Sequence, residues 1–213
     1  MDNGYNKFNE NKIVIYKTNY NTRPNLRYKE NIINDFKHSY WYFDNFDIYY
    51  KKENRFEVFL VYGCVDNDNI NIVRISDKKL IKSLKGHTEV IYIVKHFYNE
   101  KNNKNYLLSA DYSKIIFVWD LNQYITIHII NTNYSSYINN LIMFFDKNYI
   151  ITSTDGCNNN VDYIKIYSLI NAKLIMNFKQ NFRNETLYLL IWKYNNKYHL
   201  IELCYQNIFI YLF

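Results

Sequence analysis

Glycine and proline are what this chain most conspicuously does without: 4 Gly and 1 Pro in 213 residues. So little of either excludes collagen-like repeats and flexible linkers, which are built from them. Cysteine is scarce too. The 3 present, Cys64, Cys157 and Cys204, lie far apart and outside any C-x-x-C, so neither a disulfide framework nor a zinc site is expected. Long apolar runs are missing, and the longest, such as 187–192, are far too short to cross a bilayer. The opening MDNGYNKFNENK lacks the apolar stretch of a secretory signal, which points to an intracellular chain, cytoplasmic or nuclear. In that compartment the sequons at Asn133 and Asn184 would not meet the glycosylation machinery.

Concentrated charge is absent as well. The net +6 arises from 26 Lys and Arg against 20 Asp and Glu, spread so that the densest basic patches are pairs such as Lys51-Lys52 and Lys78-Lys79. A nucleic-acid or membrane surface usually gathers its positive charge in one place. No G-x-x-x-x-G-K-S/T, G-x-S-x-G or H-E-x-x-H pattern occurs, and His96, His128 and His199 have no nucleophile or ligand at a motif spacing. The DNDN stretch at 66–69 lacks the Gly and the terminal Glu of a calcium loop and reads as a turn, as does Asp155-Gly156. No catalytic residue, metal ligand or cofactor is therefore expected, and a hydrolytic or metal-dependent enzyme has no motif behind it.

What is present is Asn, Tyr, Ile, Lys and Phe, with 24 Tyr, 14 Phe and 48% hydrophobic residues overall. That is ample for a sizeable core. The five dominant residues share A- and T-heavy codons, so the Asn-rich bias carries no function by itself and its runs read as loop filler. Short apolar runs rich in Ile, Val, Tyr and Phe alternate with polar turns, and no segment keeps a 3.6-residue stripe: strands, not helices. Cys64 and Cys204 fall on such strands, where a thiol behaves as a small apolar residue.

The strands recur with a longer period. The segments ending at Val73, Trp119, Tyr167 and Tyr211 are 46, 48 and 44 residues apart, and an earlier one ends at Tyr16. Seven residues after Val73, Trp119 and Tyr167 comes a second apolar segment, at Leu80, Thr126 and Leu174. After Tyr16 its counterpart, 32–38, is delayed by a polar insert around Tyr20 to Glu30 that holds Pro24. Each unit reads as four short strands; in the clearest they fall near 90–96, 106–110, 115–119 and 124–130.

Gly86-His87 followed by Trp119-Asp120 resembles the signature of the WD40 repeat, a Gly-His before the first strand and a Trp-Asp closing the third. Elsewhere the Trp position holds Tyr16, Val73, Tyr167 and Tyr211, and the His position holds His38, Asn133 and Asn181. The resemblance implies a structural hydrogen-bond chain through His87, Ser109, an Asp of the turn between the second and third strands, and Trp119. The family's usual Asp position, six before the Trp, is Ser113 here, and Asp111 sits two residues earlier. The chain is thus expected to be re-routed through Asp111 or incomplete. In relatives that serve cullin ubiquitin ligases a basic residue follows the Trp-Asp; Asn122 stands there instead.

The resemblance implies an all-β chain, a β-propeller of four-stranded antiparallel blades forming one region over residues 1–213. It is partial or small: three complete blades near 39–84, 89–130 and 137–178, and two incomplete ones over 1–36 and 186–213. If residues 13–16 complete the last blade, 32–36 are left over, and the converse. The chain is then a piece of a larger propeller, a small ring of four or five blades, or an open arc completed by a partner or a second copy. The implied function is a non-catalytic scaffold holding other proteins or peptides on loops such as 99–105, 156–162 and 20–30. The alternative is association with RNA, favoured by the net charge beside abundant Tyr. No membrane partner is expected.

Overall fold

The computed structural model describes residues 43–50, 55–64, 68–154, 163–179, 186–204 and 208–212. The segments expected at 13–16 and 32–36, the insert at 20–30, the loop at 156–162 and Cys157 lie outside the described residues.

All regular structure among the described residues is β. The first sheet runs β1 (Phe43–Tyr50), β2 (Arg55–Gly63), β3 (Ile70–Arg74) and β4 (Lys79–Leu84), in that order. The second runs β5 (Ile91–Asn99), β6 (Lys104–Asp111), β7 (Ile115–Asp120) and β8 (Ile125–Asn131). The third consists of β9 (Ile138–Phe144), β10 (Tyr149–Thr154), β11 (Tyr163–Ser168) and β12 (Leu174–Lys179). The fourth has three strands, β13 (Thr186–Tyr194), β14 (Lys197–Cys204) and β15 (Ile208–Leu212). Within each sheet every strand neighbours the next in sequence, so short turns suffice and pairing is antiparallel. By internal contacts the chain falls into two units. One extends through Tyr106 and takes in Asp120–Ile125; the other comprises Leu107–Trp119 and everything from Thr126.

The spacing found in sequence has a structural counterpart. In the first sheet the β3–β4 register shifts between Ile72 and Val73, and Val73 pairs with Leu80. In the third sheet the β11–β12 register shifts between Ile166 and Tyr167, and Tyr167 pairs with Leu174. Both irregularities fall on the residue that occupies the Trp position, and both partners lie seven residues on. A bulge adds twist at one point of a ladder, so its recurrence in phase marks the same local shape built twice.

Burial is graded across the sheets in the same way each time. In the second sheet β5, β6 and β7 are largely buried, whereas β8 exposes Ile125, Ile127 and Ile129. In the third, Leu174, Ile175 and Met176 of β12 are exposed, and in the first Lys79, Leu80 and Lys82 of β4 are exposed.

A chain this poor in glycine needs another way to turn. Asn103, Asn133, Asn148, Asn195 and Asn196 all have positive φ, between 48° and 60°. Asn tolerates this left-handed region better than most residues, because its short amide bonds to nearby backbone. Asn195-Asn196 joins β13 to β14 with two consecutive positive-φ residues, the conformation of a type I′ hairpin. Asn103, within a run that read as filler, is thus a turn former, and Asp68, Lys78, Lys114, Tyr124 and Ala172 adopt the same region.

Two packing clusters position the rest. In the first unit Phe46 lies stacked between Phe59 (5.2 Å) and His96 (4.7 Å), and Gly63 lets β2 come close to β5. A Cβ at Gly63 would stand 2.8 Å from Ile91 Cβ. In the second unit Phe144, Ile151, Ile164 and Ile166 of the third sheet bury Leu189 and Leu200 of the fourth. At the β3–β4 turn, Arg74 forks onto Asp77 at 2.6 and 3.0 Å, and these bonds hold the Asp77 carboxyl down to about 2.

Candidate interaction site

Polar links fix the turns of the second sheet. In the second sheet the Trp119 indole N–H donates to Ser109 Oγ at 2.9 Å, with both residues buried. Phe117 stacks on the same indole at 5.2 Å. Asp111 is fully buried, and its Oδ1 accepts from the Ser113 hydroxyl and from the Ile115 amide. Its carbonyl accepts from the Lys114 amide at 2.8 Å. Asp111 thus closes the β6–β7 turn, and Ser113 bonds to it. His87 is buried, 8% exposed, immediately before β5. Of the four expected network residues, Ser109 and Trp119 are brought into direct contact.

The end of β7 is knit similarly. Asp120 Oδ1 accepts from the amides of Asn122 and Gln123, while Oδ2 accepts from Lys104 Nζ at 2.9 Å and raises the Lys104 pKa. Asn122 Oδ1 accepts the Asn105 amide at 2.7 Å, so its side chain serves the β5–β6 turn. That turn is braced further: Asn99 Oδ1 accepts the Lys101 amide, Asn102 Nδ2 donates to Tyr106, and the Tyr98 hydroxyl donates to Asn103. The loop expected as a binding element is internally bonded and preorganised.

Three further histidines among the described residues have structural places. His96 Nε2 lies 3.1 Å from Asn105 Oδ1 in the core, and His128 Nε2 lies 2.8 Å from the Leu169 carbonyl. His199 sits on β14 beside Trp192, with no hydrogen-bond partner for Nδ1. Cys64 is a buried free thiol just past β2, with Asn71 Nδ2 3.0 Å from its sulfur. The side chain of Cys204 is outside the described residues. Among the described residues no group of three or more His, Cys, Asp or Glu is placed to hold a metal ion. No helix among them is long and apolar enough to cross a membrane.

In the third sheet a different cluster occupies the equivalent place. Lys165 Nζ is buried, donates to the Thr132 carbonyl at 2.5 Å and lies 4.2 Å over the Tyr134 ring. Burial lowers the Lys165 pKa and raises that of Tyr167. The hydroxyl of Tyr134 meets Thr152 Oγ1 at 2.6 Å, and that of Tyr167 reaches the Thr132 carbonyl at 3.5 Å. Sequence reasoning missed this group, whose members come from β10, β11 and the segment after β8. Lys165 in the middle of an otherwise apolar strand was the one signal available.

Two surfaces offer contacts to something outside the chain. Tyr112, in the β6–β7 turn, and Tyr137, just before β9, are both exposed and meet edge to face at 5.3 Å. Lys114 beside them donates to the Ser135 carbonyl at 3.0 Å. The second surface is larger. In the fourth sheet, Leu189, Ile191 and Leu200 face the third sheet, and successive side chains alternate. The opposite face carries three cross-strand rows: Tyr188 beside Leu203 and Ile208, Leu190 beside Ile201 and Ile210, and Trp192 beside His199 and Leu212. Trp192 also stacks on Tyr194 at 5.3 Å. Both surfaces are suited to burying apolar area.

No protein-family model matches the chain, and no curated protein matches its sequence.

Proposed function

We propose that the four sheets are blades of a WD40-like β-propeller and that the protein is a non-catalytic, intracellular platform for other proteins. The observation that carries this reading is the bulge repeated in phase at Val73 and Tyr167, each paired seven residues on. It ties the sequence period to a recurrent sheet shape. The consecutive strand order and the exposed fourth strand of each complete sheet support the same reading, since a blade runs from a covered first strand to an open last one. The Ser109–Trp119 bond supports placing His87, Ser109, Asp111 and Trp119 in a structural network. The braced 99–105 loop and the Tyr112–Tyr137 pair are the elements that take a partner, because aromatic side chains on a rigid frame contribute contact area at little entropic cost.

The test is capture of the endogenous protein under gentle lysis, through a tag placed between residues 20 and 30. A stoichiometric protein partner, lost on Tyr112→Ala or Tyr137→Ala, is the expected result. A free monomer with no co-purifying protein would overturn it. The second reading, association with single-stranded RNA, draws on the exposed Trp192–Tyr194 stack beside Lys197. It predicts binding that weakens steeply with salt. Most of that face is aliphatic, which favours protein over nucleic acid.

A further inference from the structure

Seven side chains on the outer face of the fourth sheet are 39–66% open to solvent. Together they present roughly 800 Å², about what one partner contributes to a standard-size interface. A single exposed Leu needs no explanation, but a contiguous apolar patch of this extent marks a contact surface. We propose that this face docks a second copy of the same chain, sheet against sheet. This deepens the propeller reading and rests on its open-arc form completed by a second copy.

Charge and shape both select this occupant. The chain carries +6 overall, yet the three rows hold no carboxylate, ammonium or guanidinium. Across these three rows two copies can meet without like-charge repulsion; Lys197, paired with Tyr194 on the same face, stands beyond them at the hairpin end of the sheet. Across the sheet the side chains are graded by size. β13 contributes Tyr188, Leu190 and Trp192, whereas β15 contributes only Ile208, Ile210 and Leu212. A two-fold axis lying between the sheets and parallel to the strands sets β13 of one copy over β15 of the other. Large side chains then meet small ones, as a close-packed sheet pair requires. Leu190 faces the second copy's Ile210, and Ile201 lies next to the axis. Such a contact is closed: it makes a dimer and leaves no matching surface for further growth.

Sedimentation equilibrium on the purified 213-residue chain tests this. The expected mass is about 52 kDa, twice the chain's 26.1 kDa. Leu190→Glu and Ile210→Lys, each on the exposed face, are expected to weaken the dimer at least tenfold while leaving the circular dichroism and the thermal midpoint of the monomer unchanged. Mixing the two variants should restore association, since each heterodimer then pairs one Glu with one Lys and keeps one apolar contact. A 26.1 kDa monomer at every concentration, an open-ended series of larger species, or a dimer indifferent to both substitutions would each overturn the proposal. The outcome is separable from the capture experiment. A monomer that still holds its protein partner through Tyr112 and Tyr137 ends the dimer and leaves the platform.

Discussion

The Trp119 indole N–H and Ser109 Oγ, ten residues apart on neighbouring strands, form a buried 2.9 Å hydrogen bond at the centre of the second sheet. A buried donor stripped of its acceptor costs more than the bond itself contributes, since water cannot replace the missing partner. Ser109→Ala should therefore destabilise the protein by about 1–3 kcal/mol, and Trp119→Phe by at least as much because it also leaves a cavity. The double variant should cost less than the sum. Urea titrations of all four proteins give the coupling energy directly; strict additivity would mean that the bond contributes nothing specific.

Gly63 makes the opposite kind of demand, for the absence of a side chain. An added Cβ would meet Ile91 Cβ at 2.8 Å, and the neighbour is a β-branched carbon at its own backbone, not a flexible tip. Gly63→Ala is expected to cost about 1–3 kcal/mol, typical of overpacking. Gly63→Ala combined with Ile91→Gly, which removes the clashing Cβ, should cost less than the sum of the two single substitutions. If the single substitution leaves the denaturation midpoint unmoved, β2 and β5 are not held this close.

Lys165 gives a pH dependence with a definite sign. Burial lowers its pKa below the ordinary lysine value, so below the lowered pKa the amine is charged in both states and the full desolvation penalty applies. Between the lowered pKa and the ordinary one, the unfolded chain binds a proton that the folded chain has released, and stability rises with pH. Lys165→Met removes the charge and keeps the volume. At neutral pH it should lie within about 1 kcal/mol of the parent, as apolar replacement of a buried ion often does. As pH climbs towards the ordinary lysine value, the parent should gain on the variant. Denaturant titrations of both proteins across that range supply the comparison, and a constant difference would contradict it.

The strand content and its phase were legible because both rest on alternation and spacing, which survive a biased composition. The expected strands near 90–96, 106–110, 115–119 and 124–130 correspond to β5, β6, β7 and β8, with ends shifted by a few residues. The Ser109–Trp119 contact was legible through the resemblance to the WD40 repeat, since the need of a buried indole N–H for a partner does not by itself select Ser109. What Asp111 does was not. Two candidate positions stood two residues apart, and only the turn geometry shows Ser113 bonded to Asp111. The Lys165 cluster was hidden because its partners Thr132, Tyr134 and Thr152 are ordinary residues gathered by the fold from distant segments. The asparagines misled for a different reason: an abundant residue looks uninformative until its backbone conformation is seen.

That conformation leads to the last expectation. Ala172, in the β11–β12 turn, has φ of 60° and none of the local bonding that an Asn side chain offers there. A left-handed Ala is strained by its Cβ by about 1–2 kcal/mol, whereas Gly adopts the region freely but loses more chain entropy on folding. The balance favours Ala172→Gly by about 0.5–1 kcal/mol. Asn196, with the same φ of 60° in the β13–β14 hairpin, should gain less from Gly and lose on replacement by Ala. Gly should thus rank above the native Ala at 172, and the native Asn above Ala at 196, read as shifts in thermal midpoint. Equal responses would mean that the asparagines owe their turn positions to composition alone. A gain at Ala172 beside a loss on Asn196→Ala would show that a chain with 4 glycines turns its hairpins by using Asn in their place.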